Sequence, residues 1–470
     1  MALEVIYNNT RNNMSDKKRH SFIISPLDGR YSEILSGFSR FASDEFYYAT
    51  RIKVELAWLI NLIMYVNTND NKSENNFDES FKSKDFLDHV RDLKVLLQSY
   101  DDDDTLINVY NEVRLIEKTT KHDVKAIEFY LRTKVPSLYH NLIHIGLTSQ
   151  DVNSVAMTYI LKEETKFVQN LLDEFFIQAD NFIKRCDDWF MERTHGQKAV
   201  KGNLGHFFEK FIIPIKNAYS KLTEKSDTLT AKFSSSTGNY STLLLCFNDL
   251  ETIHKLQNQN NSILGTNIEY NDHARQVDDY SSYYELLSEY ELILSQIKSF
   301  CNTLWLNISR GNLIQFTKKG ECGSSVMPHK INPWPLEQIF AVVTEALGSL
   351  SAVKDIFMSL YDSRDMRDSV NFRFGNCNIG KLVLVIKQLT NFLPNVGPNR
   401  EFNKEEINNS ITSKGEILQT YLRLANYQGD AYKVTSDFTK GKDITEQQFN
   451  DFVDLFDILS PTVKENIKKY

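Results

Sequence analysis

Proline and glycine are scarce in this chain, nine and eighteen of 470 residues. Two long windows, Leu147 to His195 and Thr266 to Arg310, hold neither. Uninterrupted stretches of that length exceed an ordinary globular helix and predict long ones. Cysteine is scarce as well. Cys186, Cys246, Cys301, Cys322 and Cys377 are odd in number, widely spaced and without a Cys-x-x-Cys pair, which excludes a disulfide framework and the usual zinc spacings and predicts reduced thiols, most of them in the core. No apolar run approaches the ~20 residues of a membrane span. The opening MALEVIYNNTRNNMSDKKRH has basic residues but no apolar block after them, so no secretory signal is expected and the cytoplasm is the expected location. Positive charge is in deficit, 54 Lys and Arg against 62 Asp and Glu, a net −8. That argues against nonspecific nucleic-acid binding, and an anionic ligand must instead be met by a local cluster of cations.

What is present is helical patterning. Leu286, Tyr290, Ile293, Ile297, Phe300 and Leu304 recur at 4-3-4-3-4 spacing and form one apolar stripe suited to near-parallel bundle packing. Thr148-Ser-Gln-Asp151 reads as a capping-box-like start with an acid in the positive first turn. Further helical runs cover 203–232 and 336–360, interrupted by Pro214 and Gly348, and 376–393. No long segment alternates as a half-buried strand does. The expectation is an all-α chain of three helical domains: 1–142, a central long-helix bundle at 143–393, and 394–470, the last boundary set by LPNVGPNREFNKEE. The polar stretch 67–84 reads as an inserted loop.

Chemistry concentrates elsewhere. GSSVMPHKINP, Gly323 to Pro333, crowds serines, a lysine and an asparagine between backbone-restricting residues, and TKKGECGSS before it has the glycines of a closing loop. RTHGQ (193–197), IHIGLTSQD (143–151) and TTKHDVKAIEFYL (119–131) each set a histidine beside turn or capping residues. His195 is expected to end the long helix beside Gly196. SRDMRDSVNFRF (363–374) gathers Arg364, Arg367 and Arg373 around Ser369. Arginine suits phosphate and carboxylate because its planar fork binds two oxygens at once.

GSSVMPHKINP resembles the GSSxMPxKxNP signature of the fumarase/aspartase superfamily without a gap. THGQ, SPLDGRY (25–31) and the TTKHDVKA segment are similar to the adenylosuccinate lyase family within it. The resemblance covers nearly the whole chain and implies β-elimination of fumarate from adenylosuccinate to leave AMP, and from SAICAR to leave AICAR, with no metal or cofactor. It implies Ser324 as base (Ser325 being the alternative), His195 as general acid and His144 as the residue that positions His195 and substrate. Lys330 and Asn332 then bind the succinyl carboxylate, Thr148 and Ser149 the succinyl group, and Gln276 the base or linkage. Lys121, His122 and Asp123 contact substrate, and Arg30, Tyr31, Arg364, Ser369 and Arg373 form the phosphate end. It also implies a homotetramer whose subunits share each site. Argininosuccinate lyase is the alternative enzyme and a noncatalytic scaffold the alternative class. Two departures stand out: Lys198 follows THGQ where the family has proline, and Tyr361-Asp362 replaces residues that bacterial relatives often keep.

Overall fold

A computed structural model describes residues 23–69, 76–316, 327 and 329–469, side chains included. The architecture is all-α with three small two-stranded sheets. In chain order the helices are α1 (Asp44–Thr68), α2 (Phe86–Ser99), α3 (Asp103–Thr120), α4 (Asp123–Arg132), α5 (Ser149–Arg185), α6 (Leu204–Asp227), α7 (Ser241–Phe247), α8 (Leu250–Leu264), α9 (Ser281–Arg310), α10 (Trp334–Met358), α11 (Arg367–Phe392), α12 (Arg400–Asn408), α13 (Gly415–Leu424), α14 (Ala431–Thr439), α15 (Glu446–Asp454) and α16 (Pro461–Lys469). The strands are β1 (Trp189–Thr194), β2 (Gln197–Asn203), β3 (Thr230–Ala231), β4 (Glu269–Tyr270), β5 (Leu313–Gln315) and β6 (Val396–Pro398).

The apolar stripe read from the sequence is the buried face of α9: Leu286, Tyr290, Ile293, Ile297, Phe300 and Leu304 are all shielded from solvent. Neither Pro214 nor Gly348 ends its helix, for α6 and α10 run through them. The start of α5 is half a capping box, the Asp151 carboxylate reaching back to the Thr148 N–H at 2.7 Å.

The chain divides into two compact units. The first comprises Met1–Asp173, Lys216–Ser295 and Ala341–Lys387. At its centre lies α1, capped by Ser43, whose hydroxyl accepts from the Phe46 N–H at 3.1 Å, with Asp44 and Glu45 at the positive end. It packs on α2, α3, α4 and α8 and is buried almost all round. Arg51, Lys53 and Glu55 are buried with it, and charges so placed must find partners. Trp58, wholly buried, stacks edge-on against Phe233 and Phe247.

The second unit comprises Glu174–Ile215, Gln296–Phe340 and Gln388–Tyr470. Here the sequence reading fails. The helix expected to reach His195 stops at Arg185, and 189–203 is an antiparallel hairpin. Its alternation is hidden because Phe190 and Met191 are adjacent and both buried, next to a register shift between Met191 and Arg193. The hairpin packs on α12, and β5 pairs with β6. The C-terminal helices close over a small core of Leu418, Leu422, Phe449, Val453 and Ile467.

Cys186, Cys246, Cys301 and Cys377 are free thiols, and burial pushes each above the ordinary thiol value. Among the described residues no helix is long and apolar enough to cross a membrane.

Candidate active site

Most of the candidate residues fall in the first unit, on segments that converge through buried ion pairs. Helix α1 presents Arg51, Glu55 and Trp58 at i, i+4 and i+7, one face of the helix. The Arg51 guanidinium lies 4.3 Å from the ring centres of both Tyr47 and Tyr48, and Nη1 donates to Asp123 Oδ2 at 2.6 Å. Burial acts to raise the Asp123 carboxyl, but the charge and hydrogen bond of Arg51 outweigh it and hold the group below its usual value. Asp123 is thereby fixed at the first position of α4. His122 caps that helix, its Nδ1 accepting from the Lys125 N–H at 3.2 Å, and Lys121, at φ 54°, is the left-handed cap of α3. The three residues form a helix-to-helix corner whose first two side chains face solvent.

One turn along α1, the Glu55 carboxylate meets His144 Nδ1 at 2.6 Å. Trp58 Nε1 donates to the Ile145 carbonyl at 2.9 Å. His144 has a φ of 63° and Gly146 one of 78°, and a Cβ on Gly146 would stand 2.6 Å from Leu243, so glycine is required there.

The next residues begin α5. Thr148 donates through N and Oγ1 to Asp151 Oδ2 at 2.7 and 2.9 Å. Asp151 Oδ1 pairs with Lys232 Nζ at 2.6 Å and accepts from the Ser234 N–H. Lys232 also donates to Thr148 Oγ1 and the Ser235 carbonyl. Burial pushes the Lys232 ammonium below its usual value; Asp151 opposes this and the charge of Arg364 adds to it.

Gln150 ties the start of α5 to that of α11. Its amide donates to Asp368 Oδ2 at 2.9 Å and Tyr280 Oη at 3.0 Å, and Tyr280 donates to the same Asp368 oxygen. Asp368 Oδ1 then accepts from the Ser369 N–H. One turn on, Arg373 Nη1 donates to the Ser369 carbonyl, Nε lies 3.2 Å from Asp44 Oδ1, and the guanidinium stands 5.5 Å from the Tyr47 ring. The Tyr47 ring is therefore within cation–π distance of both Arg373 and Arg51. Arg367 is committed to Asp365, whose carboxyl it holds well below the usual range. Arg364 Nη2 rests on Met366 Sδ at 3.5 Å. Gln276 is half-buried and follows Arg275, whose Nη1 donates to the Asp362 carbonyl two residues before Arg364. Tyr31, half-buried, and Arg30, exposed, lie in the turns of 26–42. Among the described residues no hydrogen bond or ion pair ties Arg30 to Ser369 or Arg373.

In the second unit His195 and Gly196, at φ 51° and 75°, are the two tip residues of the β1–β2 hairpin, exposed between the paired Thr194 and Gln197. Two positive φ values in a two-residue turn match the twist of the strands. Glu406 anchors the strands below, pairing with Arg193 and, at 3.8 Å, with Lys198, while Asn312 donates to its other oxygen. The lysine that replaces proline after THGQ is thus a strand residue with an acidic partner. Exposed Lys330 and half-buried Asn332 lie just before α10, the Lys330 N–H donating to the Met327 carbonyl at 3.0 Å. Ser324 and Ser325 lie outside the described residues.

Sequence reasoning passed over Arg51, Glu55 and Lys232, read Asp151 only as the acid in the first turn of its helix, and gave Asp368 no role. For the first two a signal exists, since an arginine and a glutamate four apart, with Lys53 between them, in the largely apolar TRIKVELAWLI must be partnered inside.

Comparison with known proteins shows the family of the chain. Residues 91–348 match the family described as Lyase, and residues 362–470 the family described as Adenylosuccinate lyase C-terminal. The adenylosuccinate lyase of Haemophilus influenzae is 26% identical over 451 residues, 93% of this chain and 92% of that protein. That of Dictyostelium discoideum is 26% identical over 449 residues, with the same two shares. Among solved structures, a fumarate lyase from Mesorhizobium sp. BNC1 superposes with a TM-score of 0.71 at 11% identity, over 92% of this chain and 93% of that one. The 3-carboxy-cis,cis-muconate lactonizing enzyme of Pseudomonas putida gives 0.68 at 15% identity, over 92% of each chain. With more than half of its length matched, the chain belongs to the lyase family, and its C-terminal part to the C-terminal domain of the adenylosuccinate lyases.

Proposed function

We propose that the chain is a carbon–nitrogen lyase that splits adenylosuccinate into fumarate and AMP by β-elimination, and splits the succinyl-carboxamide nucleotide SAICAR into AICAR in the same way. The observation that carries this reading is the convergence, in one unit, of the His122–Asp123 corner, the His144 loop, the Thr148 cap and the Ser369–Arg373 turn through the pairs Arg51–Asp123, Glu55–His144 and Lys232–Asp151 and the Gln150–Asp368 hydrogen bond. Such pairing fixes imidazole, hydroxyl and guanidinium groups with little freedom left to lose on binding.

Elimination leaves two demands. A weakly acidic proton beside a carboxylate must be removed, and the resulting carbanion adds negative charge next to existing carboxylates. Ser324 is the base, and the positive charge of Lys330 favours its deprotonated form. His195, at the hairpin tip, gives the proton to the departing nitrogen. Lys330 and Asn332 hold a succinyl carboxylate, Thr148 and Ser149 the succinyl group, His144 orients both substrate and His195, and Lys121, His122 and Asp123 line the substrate. Arg364, Ser369 and Arg373, with Arg30 and Tyr31, hold the phosphate, and Gln276 the purine linkage.

The active form is a homotetramer with sites shared between subunits. In support, the long helices expose large apolar side chains: Ile177 on α5, Ile213 on α6, Leu292 and Leu306 on α9, Phe340 and Met358 on α10, Val370 and Phe374 on α11. The unpaired thiols suit the reducing cytoplasm. Incubation with adenylosuccinate, following purine absorbance and fumarate, tests the activity. Fumarate from argininosuccinate, with adenylosuccinate left intact, rejects it.

A further inference from the structure

The Glu55–His144 contact bears on the charge of the imidazole as well as on its place. Glu55 sits at the middle of α1, its side chain wholly shielded, with one oxygen 2.6 Å from His144 Nδ1 and the other without a hydrogen-bond partner among the described residues. His144 keeps 17% of its side-chain surface. Trp58, three residues along the same helix, holds the neighbouring Ile145 carbonyl, so α1 grips this loop at two adjacent points. With Nδ1 engaged by a carboxylate, Nε2 is the ring nitrogen left to face a ligand.

We propose that Glu55 is the positioning residue for His144: it fixes the ring with Nδ1–H donated inward and keeps it an imidazolium, so that Nε2–H is presented as a charged donor to an anionic group of the substrate. This rests on the lyase reading for the identity of that substrate, but not for the state of the ring.

Each element against the ring contributes. Burial disfavours the charged imidazole, and the charge and hydrogen bond of Glu55, then Glu128 on α4 and Asp151 on α5, outweigh it and lift His144 to about 8. Glu128 is shared with Lys125 at 2.6 Å, and Asp151 with Lys232. Glu55 has no lysine or arginine within ion-pairing distance among the described residues, so its charge goes to the imidazole alone. A buried carboxylate committed to one histidine is costly as a packing element alone, and a loop already anchored by Trp58 does not require it.

The test has two parts. Protein labelled with carbon-13 at histidine Cε1 is titrated by NMR, the His144 signal being assigned by its loss in His144→Asn. A midpoint between pH 7.5 and 8.5 is expected in the wild type, and a fall of at least one pH unit in Glu55→Gln, which keeps the size and a hydrogen-bonding group. A wild-type midpoint below 6.5 overturns the proposal without reference to any variant or activity. In parallel, kcat/KM for adenylosuccinate is measured from pH 6 to 9. The alkaline limb of Glu55→Gln moves to lower pH by at least one unit, with the acid limb unmoved. A uniform loss with an unshifted profile assigns Glu55 a purely structural part and rejects the proposal. A wild-type protein inert toward adenylosuccinate but with the expected titration rejects the lyase reading and leaves the Glu55 assignment standing.

Discussion

The Lys232 ammonium lies 2.6 Å from the Asp151 carboxylate, and neither side chain exposes any surface. Around this pair the start of α5 is assembled, since Asp151 also holds Thr148 and the Ser234 N–H. Removing one partner of a buried pair strands a charge and costs about 3–5 kcal/mol. Lys232→Met should therefore lower the urea midpoint sharply. Asp151→Asn placed in the Lys232→Met background removes the stranded charge but keeps an acceptor, and should regain part of the loss. A single variant that unfolds at the wild-type midpoint contradicts the assigned role.

The Arg51–Asp123 pair gives a stability difference with a defined pH dependence. The folded Asp123 carboxyl is depressed, so its contribution is complete above the unfolded value of about 3.9 and is lost as pH falls from there through the folded value. In Arg51→Met that contribution is gone, and a buried cation partner with it. At pH 7 the variant should be about 3 kcal/mol less stable than wild type, the partial exposure of Asp123 keeping the figure at the lower end. The gap should narrow below about pH 4. Urea titrations at pH 7 and pH 3 that give the same gap would show that the pair does not titrate as described.

Arg373 and Asp44 make a half-exposed pair at 3.2 Å, of a kind worth about 0–1 kcal/mol. A phosphate held by the same guanidinium gains about 1.5–3 kcal/mol, as hydrogen bonds to charged groups do, so the ligand wins the competition with Asp44. Arg373→Ala should raise KM for adenylosuccinate about 10- to 100-fold with kcat nearly unchanged, because the contact exists in ground and transition states alike. Asp44→Asn, which frees the guanidinium, should lower KM by up to about fivefold. An unaltered KM in Arg373→Ala removes the phosphate assignment.

The long helices were legible because their information is local: the α9 stripe needs only a spacing, and each of its six residues is buried. The lyase signature was legible because many fixed positions fall in one short segment. What was lost depends on distant partners. Nothing near Lys232 in LTAKFSSS foretells Asp151, eighty-one positions earlier. The first strand of the hairpin, Trp189–Thr194, reads as the end of a helix because its buried residues are adjacent and the turn after it is His-Gly, a less familiar pair than Asn-Gly for two positive φ values. Its stability comes from Glu406, two hundred residues away, which binds both strands.

The last expectation concerns assembly. Helix α5 has 37 residues, about 55 Å at 1.5 Å per residue, much longer than any mononucleotide. Thr148 and Ser149 stand at its first turn, and His195 follows ten residues after its last, in a hairpin whose strands Glu406 pairs with. In the proposed homotetramer, candidates so distributed would be brought together by symmetric association, in which opposite ends of neighbouring helices meet. In the shared-site reading, His195 and Ser324 of one site come from different subunits. His195→Ala and Ser324→Ala are then each inactive alone. Mixed in equal amounts and allowed to exchange subunits, they should recover up to about a quarter of wild-type activity, the share of sites that random assembly leaves with both residues intact. Size-exclusion chromatography of differently tagged copies establishes that exchange has occurred. If exchange is complete and the mixture stays inactive, both residues belong to one chain, and the shared-site arrangement is wrong.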